Sequence, residues 1–462
     1  MMGKRKSEAA KQSLIENCLD FISSWKEEWP SFETDSSLEI SQEKVLRALQ
    51  QLFHRIKKSY PFYYPGYAGQ MLKPPHLIAI LAYFTTLYIN SNNHALDGGP
   101  ATSELEVEVV SWLAEMFGFK RHLGHLTGGG TIANLEALWA ARELHPDQGI
   151  AFSSQAHYTH QRVCSLLKIP CYVVNVDRKG KMDLNHLEYL LKREKIGTVV
   201  ATLGTTSFGS LDPLDQIAVM KGKRRIRIHV DAAYGGFYTL LSKGRFPEVN
   251  PLPFQAIEQC DSIVVDPHKH GLQPYGCGCV IFTDPAVGKV YQHNSPYTYF
   301  TSDKLHLGEI SFECSRPGAA AAAFWTTLKC FPLKRTTGLG SILSQCRKAA
   351  LRFVDLVEKD EVFKMITVPE LDIAAYFAVS GKPTASQISK KTNQIFKRAE
   401  QNKEFPLYLS KLKVDAQWLK MNFPELVMDK PEATVLRSVL MKPEHFAYIE
   451  KIYEVLLKVR KD

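Results

Sequence analysis

A lysine beyond a short apolar strand is the first residue in this sequence that could do chemistry. Within Asp261–Gly271, the β-branched run Ile263–Val265 predicts a strand, Asp266-Pro267 ends it, and Lys269 follows on the next loop. In an α/β sheet, ligands bind beyond the carboxyl ends of the strands. A lysine held there can act as a Schiff-base nucleophile, although most loop lysines are solvated charges.

A carboxylate in an upstream segment points to the same chemistry. Apolar and polar residues alternate over Ile226–Val230, as in a strand, and Asp231 follows, just before two alanines. A carboxylate that pairs with a pyridinium nitrogen, together with a lysine that forms an imine, is the protein part of pyridoxal phosphate chemistry. Taken alone, Asp231 would be interpreted in preference as a helix cap or a surface-turn residue.

Two turns rich in glycine or threonine are candidates for binding a phosphate. Gly128–Thr131 precedes a predicted helix that ends at Leu144, and bare backbone amides at the start of a helix suit an anion. Leu203–Thr206 follows another predicted strand. His157, expected early in a predicted helix at the same sheet edge, could stack on a planar cofactor. The glycine turn has neither the Walker nor the dinucleotide pattern, and it could also be an ordinary capped turn.

Composition narrows the class of protein. The 462 residues are 45% apolar and 23% charged, which is typical of a soluble globular chain. The net charge of +9 is scattered, and this favours a solvated basic surface over a nucleic-acid partner. The nine cysteines form no disulfide or zinc pattern, so we expect reduced thiols, no metal and a cytoplasmic location. The start of the chain lacks an apolar signal core, and the apolar run Leu77–Ile89 is too short to cross a membrane.

The pattern of elements predicts an α/β protein in three parts. Residues 1–100 would form an N-terminal helical arm, with helices over 9–30 and 41–56, and an aromatic pocket loop, Tyr60–Met71. The apolar face of this arm must pack on the rest of the chain or on a second subunit. Over 101–340, alternating strands and helices predict a large domain with a mostly parallel sheet. The lysine-rich part over 341–462 would be a small C-terminal domain.

Five motifs, taken in order, resemble those of the group II pyridoxal phosphate-dependent decarboxylases of fold type I, most closely the bacterial tyrosine (aromatic L-amino-acid) decarboxylases. The motifs are Leu126–Leu135, Leu203–Thr206, His229–Phe237, Asp266–Lys269 with Pro274–Gly276, and Ser315–Ala319. The match runs in register from Tyr64 to Gly340. It implies the transferase fold of type I with a small C-terminal α+β domain, pyridoxal 5'-phosphate as cofactor, and a homodimer that shares its active sites.

The resemblance also implies a role for each matching residue. Lys269 would be the Schiff-base lysine, Asp231 would pair with the pyridine nitrogen, and His157 would stack on the ring and act as acid or base. Further residues would surround the ring, the phosphate or the Schiff base, namely Ala233, Gly130, Thr131, Thr206 and His268. Arg316 and Gly318 would reach the cofactor of the neighbouring subunit.

Other matches bear on the reaction and on the substrate. The family uses a loop tyrosine as proton donor, and Tyr297 is favoured over Tyr299 for this role. Arg437 resembles an arginine near the substrate carboxylate, although a structural ion pair is an equal alternative. Three positions depart from the family pattern, where serine, an acidic residue and histidine are usual: Gly128, Ile132 and Gln70.

The sequence therefore predicts decarboxylation of an L-amino acid, tyrosine-like, to its amine and CO2. The aromatic residues of Tyr60–Met71, together with Asn92–Thr102 as a second pocket wall, suit an aromatic substrate. Two alternatives stay open. One is a carbon–carbon lyase of the sphingosine-phosphate-lyase type, which the segment Ser315–Gly318 also resembles. The other is a non-catalytic protein that binds a phosphate or nucleotide at Gly128–Thr131.

Overall fold

A seven-stranded sheet forms the centre of the computed structural model, which describes residues 2–292, 305–379, 381 and 383–460. Its strands are β1 (Leu123–Thr127), β2 (Gly149–Ser153), β3 (Cys171–Val174), β4 (Ile196–Thr202), β5 (Arg227–Asp231), β6 (Ser262–Val265) and β7 (Gly278–Phe282). They lie in the order β1-β7-β6-β5-β4-β2-β3. Only the pairs that include β7 are antiparallel. The expected mostly parallel sheet is confirmed.

A second, smaller sheet follows near the C-terminal end. Its strands are β8 (Phe363–Met365), β9 (Ile373–Ala378), β10 (Ser410–Asp415) and β11 (Glu432–Val439). They lie in the order β10-β11-β9-β8, and every neighbouring pair is antiparallel. The large α/β part and this smaller antiparallel part together form the expected fold.

Helices cover both sheets. The α-helices are α1 (Met2–Glu27), α2 (Gln42–Ile56), α3 (Leu77–Ile89), α4 (Pro100–Phe117), α5 (Gly130–Leu144), α6 (Thr159–Leu167), α7 (Leu184–Arg193), α8 (Leu214–Lys223), α9 (Pro251–Gln255), α10 (Pro267–His270), α11 (Gly318–Cys330), α12 (Leu339–Asp360), α13 (Ala385–Glu400), α14 (Ala416–Asn422) and α15 (Glu444–Val459). Within the described ranges, none of them combines the length and the apolar character needed to cross a membrane.

The central strands have little polar alternation because both of their faces are covered. Every residue of β4 and of β6 is buried. When helices cover both faces of a parallel sheet, its strands are expected to be continuously apolar, as the run Ile263–Val265 is. The sheet is therefore a rigid support, and functional polar side chains can reach a ligand only beyond the ends of its strands.

The N-terminal arm is the least buried part of the fold. None of the residues of α2 is buried, although the helix has an apolar face. Leu49 and Phe53 on that face are 39% and 51% exposed, and Phe32, between the first two helices, is 87% exposed. Of the two partners considered for this face, the described residues of the rest of the chain do not cover it on α2. A second subunit is the alternative that remains.

Three local features differ from the sequence-based expectations or bear on them. Helix α6 begins at Thr159, so His157 lies in the loop before the helix and not within it. Lys269 lies in the short helix α10 and not on a loop, because Pro267 at its first position favours a helical turn. Helix α12 crosses the expected boundary between residues 340 and 341. The domain boundaries stay predictions.

Truncating a buried leucine of α5 is expected to destabilise the fold much more than truncating an exposed one on the same helix. Leu138 is fully buried and Leu144 is 42% exposed. Leu138→Ala should lower the free energy of unfolding by roughly 2–5 kcal/mol, because it removes apolar contacts and leaves a cavity. Leu144→Ala should change it by less than about 1 kcal/mol. Urea unfolding followed by circular dichroism measures both, and equal midpoint shifts would contradict this packing of α5.

Candidate active site

A cavity of 330 Å³ opens at the carboxyl edge of the main sheet, beyond β4, β5 and β6. Cavities of this size are typical of small-molecule sites. The predicted site residues that line it are Gly130, Thr131, His157, Thr206, Asp231, Ala233, His268 and Lys269. These residues come from distant parts of the sequence, and they meet because parallel strands bring their carboxyl ends to one edge.

Asp231, the last residue of β5, carries a buried negative charge at one side of the cavity. Its Oδ2 accepts a hydrogen bond from His160 Nε2 at 2.8 Å, and its Oδ1 accepts one from the backbone N–H of Ala233 at 3.2 Å. Burial by itself would raise the pKa of Asp231, but the His160 hydrogen bond and the nearby positive charges, Lys269 among them, lower it well below its usual value. The carboxylate is therefore ionised and able to bind a cationic ring nitrogen.

Lys269 supplies an amine to the same cavity. Its Nζ lies 3.0 Å from Oδ2 of Asp266, which precedes it by three residues at the start of α10. Asp266 is almost fully buried, whereas the Lys269 side chain is 21% exposed. The second oxygen of Asp266, Oδ1, has no hydrogen-bond partner within the described residues. The amine is therefore held against the cavity wall by a carboxylate, at a place where a ligand aldehyde could reach it.

Two histidines present their rings to the cavity in the uncharged state. Burial is the largest cause that lowers the pKa of His157 and of His268 below the ordinary value, and the charge of Lys269 lowers both further. His157 is oriented by Thr159, whose Oγ1 lies 2.7 Å from its Nδ1. The ring of His268 lies 4.7 Å from that of Tyr275, tilted by 32°. Neutral imidazole rings can stack on a flat ligand without adding a charge.

The turn before α5 has the features of an anion site. The first helical amides, those of Gly130 and Thr131, have no carbonyl partner inside the helix, and the helix dipole is positive there. Gly129 has φ of +138°, which favours glycine. A Cβ at Gly130 would lie 2.7 Å from Asp266 Oδ2, so only hydrogen fits between this turn and the carboxylate. Because Gly129 and Gly130 line the cavity without side chains, their backbone amides can come close to a phosphate bound there.

The whole cavity fits pyridoxal phosphate by its chemistry. The amides and the hydroxyl of Thr131 suit a phosphate, the ionised Asp231 suits a pyridine nitrogen, and the amine of Lys269 suits an aldehyde. All three kinds of group line one cavity whose volume is that of a cofactor site.

Three other residues singled out from the sequence, all of them described, do not line the cavity. Arg316 is buried, and its Nη1 donates to Glu106 Oε1 at 2.5 Å. Gly318 begins α11, where a Cβ would lie 2.3 Å from Thr102 Oγ1. The reach of Arg316 and Gly318 toward a neighbouring subunit stays a prediction. Arg437 is buried in the smaller sheet. Tyr297, like its alternative Tyr299, lies outside the described residues.

Two polar residues of the site were not assigned a role from the sequence. Asp266 was interpreted only as the end of a strand, although its spacing of three residues from Lys269 is the spacing of an ion pair on one helical turn. His160 was not singled out, although it lies three residues after His157. Its contact with Asp231 joins residues 71 positions apart, and no local pattern indicates such a pair.

The family model of the pyridoxal-dependent decarboxylase conserved domain matches residues 35–378 of this chain. The chain belongs to this family. The enzyme is therefore a pyridoxal phosphate-dependent carboxy-lyase that acts on an amino acid. When bound, pyridoxal phosphate supplies an aldehyde that bonds to an amine and a ring that accepts the electrons of the broken bond.

Curated relatives of this decarboxylase include enzymes with different substrates. The L-tyrosine decarboxylase of Enterococcus faecium is 28% identical, in an alignment that covers 69% of this chain and 68% of that protein. The aspartate 1-decarboxylase of Aliivibrio fischeri is 28% identical, in an alignment that covers 74% of this chain and 69% of that protein. A probable L-tyrosine/L-aspartate decarboxylase of Methanothermobacter thermautotrophicus is 29% identical over 311 residues, 67% of this chain and 82% of that protein.

Solved structures show the same fold along nearly the whole decarboxylase. The structure of mouse CSAD has a TM-score of 0.78 at 19% identity and covers 99% of each chain. Oryza sativa TDC with PLP and tryptamine has a TM-score of 0.77 at 18% identity and covers 97% of this chain and 98% of the other. At this identity the likeness concerns the fold alone, and it confirms fold type I for this chain.

Filling the space at Gly130 is expected to weaken cofactor binding. In Gly130→Ala the new methyl group would press on the Asp266 carboxylate, displacing the carboxylate or the turn. We expect the dissociation constant for pyridoxal phosphate, measured by equilibrium dialysis, to rise by at least about tenfold, which is about 1.4 kcal/mol. The matched control is Gly222→Ala on α8, where a Cβ meets nothing within 4 Å. Unchanged affinity in Gly130→Ala would show that this turn does not hold the phosphate.

Proposed function

We propose that this decarboxylase converts an aromatic L-amino acid of the tyrosine type to its amine and CO2. The observation that carries the substrate class is the position of Tyr275, whose ring lies against His268 at the cavity. Its hydroxyl donates to the backbone oxygen of Met71 at 3.3 Å, at the end of the aromatic loop Tyr60–Met71. This contact supports a substrate wall of aromatic rings beside the cofactor site.

The aromatic loop has the construction of a recognition surface. The ring of Phe62 lies 4.9 Å from that of Tyr67, nearly perpendicular to it, and Tyr60 and Tyr408 pack around them. Lys442, from the C-terminal part, donates to the backbone oxygens of Phe62 and Tyr67. Rings that are fixed in this way bind a flat side chain with little loss of conformational entropy.

Each residue of the cavity has a separate role in binding the cofactor or in the reaction. Lys269 is the nucleophile that carries the cofactor, and Asp231 pairs with the pyridine nitrogen and keeps it protonated. His157 stacks on the ring, and Ala233 leaves room on the opposite face. Four residues around the phosphate or the linkage hold the cofactor in place, namely Gly130, Thr131, Thr206 and His268. Family membership favours decarboxylation over carbon–carbon cleavage and over binding without catalysis.

A second candidate substrate is an acidic amino acid such as aspartate, and one observation favours it. Arg437 is 5% exposed, and its Nε and Nη2 have no hydrogen-bond partner within the described residues. Its Nη1 donates to Ser410 Oγ at 3.1 Å, which is the one hydrogen bond of this side chain among the described residues. Although Arg437 does not itself line the cavity, the free edge of its guanidinium could bind a carboxylate that extends beyond the lining. If Arg437 binds the α-carboxylate, it can contribute to the binding of any amino acid. If it binds a side-chain carboxylate, the substrate is an acidic amino acid.

We also propose that the enzyme acts as a homodimer in which the arm of one subunit covers the other. The support is the apolar face of α2, which the described residues of the chain leave exposed. Burying such a face against a second copy would release about 25 cal/mol for each Å² removed from water. Sharing of the active sites between subunits and a cytoplasmic location stay predictions from the sequence.

The substrate is tested by measuring CO2 release from the enzyme loaded with pyridoxal phosphate. L-Tyrosine should give a kcat/KM at least about tenfold above that of L-aspartate, since about 1.4 kcal/mol of preferential binding is enough for this difference. Lys269→Ala should release no CO2 from either, and borohydride should fix the cofactor to the wild type but not to the variant. A preference for aspartate would overturn the aromatic proposal, and full turnover by Lys269→Ala would overturn the assignment of the nucleophile.

The dimer is tested by placing charges on the exposed face of α2. Leu49→Glu with Phe53→Glu should convert the dimer to a monomer of 52.2 kDa in analytical ultracentrifugation, because two carboxylates cannot be buried against an apolar partner. The matched control is Lys44→Glu with Gln51→Glu, on the opposite face of the same helix, which should stay dimeric. A wild-type monomer, or a dimer in the first variant, would contradict the proposal.

A further inference from the structure

His160 is a buried polar side chain with one described polar contact. It is the second residue of α6, its side chain is fully buried, and its Nε2 lies 2.8 Å from Asp231 Oδ2. Its other ring nitrogen, Nδ1, has no hydrogen-bond partner within the described residues. Burying an imidazole is unfavourable unless its polar atoms are bonded, so the Asp231 contact is the feature that accounts for a histidine here.

The direction of this hydrogen bond follows from the charge of its acceptor. Asp231 is ionised in the folded state, and an ionised carboxylate can only accept. His160 must therefore carry a hydrogen on Nε2 and donate it. Because Ala233 donates to the other oxygen, each oxygen of Asp231 is fixed by one donor. The remaining lone pairs are available to a ligand in the cavity that Asp231 lines.

The other buried histidine beside Asp231 cannot donate a hydrogen bond to its carboxylate. His229, on the same strand, has both ring nitrogens in use, with Nδ1 2.9 Å from Ser262 Oγ and Nε2 2.8 Å from Asn134 Oδ1. Burial lowers the pKa of His229 to about 3, so its ring is neutral. Of these two histidines, His160 is therefore the one that donates a hydrogen bond to the Asp231 carboxylate.

We propose that His160 is a positioning residue, which donates its Nε2–H to Asp231 and so holds the carboxylate in the orientation and charge state that bind a protonated pyridine nitrogen. This inference rests on the proposed pairing of Asp231 with the cofactor. His160 itself does not line the cavity, so it acts through Asp231 and not on the substrate.

Removing the donor should change where one proton lies. Without it, burial would make the anionic form of Asp231 less stable, and the carboxylate would compete better for the proton on the ring nitrogen. The proton would then move from the nitrogen to Asp231 Oδ2, which leaves a neutral acid beside a neutral ring. A neutral ring accepts electrons less readily, so decarboxylation would slow while substrate binding would change little.

The test compares two variants of similar side-chain size. His160→Leu removes the donor, whereas His160→Gln keeps an N–H that can reach the carboxylate. With each protein loaded with cofactor labelled with ¹⁵N in the ring, the ring-nitrogen resonance at neutral pH should move to the unprotonated position in His160→Leu. It should stay protonated in His160→Gln. In parallel, kcat should fall by at least about tenfold in His160→Leu, corresponding to about one pKa unit, and recover in His160→Gln.

The control for a general loss of structure is a second buried histidine–carboxylate pair outside the cavity. His125 Nε2 lies 2.9 Å from Glu136 Oε2, and both side chains are fully buried. His125→Leu should cost stability and leave the ring-nitrogen resonance unchanged. A protonated ring in His160→Leu, or the same shift in His125→Leu, would overturn the inference. If the ring nitrogen of the wild type is itself unprotonated, the pairing proposed for Asp231 fails instead.

Discussion

The site depends on a buried carboxylate, Asp231, keeping its negative charge. Removing an isolated carboxylate from water is so unfavourable that the group would normally take up a proton. Here the charge is stabilised by donors from other elements, namely the ring of His160 at the start of α6 and the backbone of Ala233 beyond β5, and by the nearby charge of Lys269. The fold must therefore bring α6 and α10 to the end of β5 before the charge is tolerated.

The parallel sheet explains why so much of the site could be predicted from separate motifs. Asp231 ends β5 and pairs in register with Val264 of β6, so the residue that ends one strand lies beside the end of the next. Any polar residue that directly follows an apolar strand in such a sheet is therefore brought to the same edge. Strand periodicity and a glycine turn were enough to predict that Asp231, Lys269 and Gly130 would meet there.

The pairings within the site could not be predicted in the same way, because they depend on where helices begin and how side chains point. His157 was expected within a helix, yet α6 begins two residues later, and this brings the next histidine, His160, to Asp231. Lys269 was expected on a loop, and the short helix α10 instead sets it against Asp266. The reach of Arg316 toward the cofactor of a neighbouring subunit stays a prediction, but its bond to Glu106 was not foreseen. Such contacts between distant residues leave no periodic pattern in the sequence.

The smaller sheet contributes to the cavity through a buried hydrogen bond. Tyr234, which lines the cavity, donates its hydroxyl to Asp372 Oδ1 at 2.6 Å, just before β9. Burial raises the pKa of Asp372, and the Tyr234 hydrogen bond opposes this rise. A buried carboxyl that loses such a donor is destabilised by roughly 1–3 kcal/mol, so this bond helps to hold the two sheets together. The wall at Tyr234 is therefore fixed only when both sheets are docked, so the cavity that belongs to the large sheet is completed by the small one.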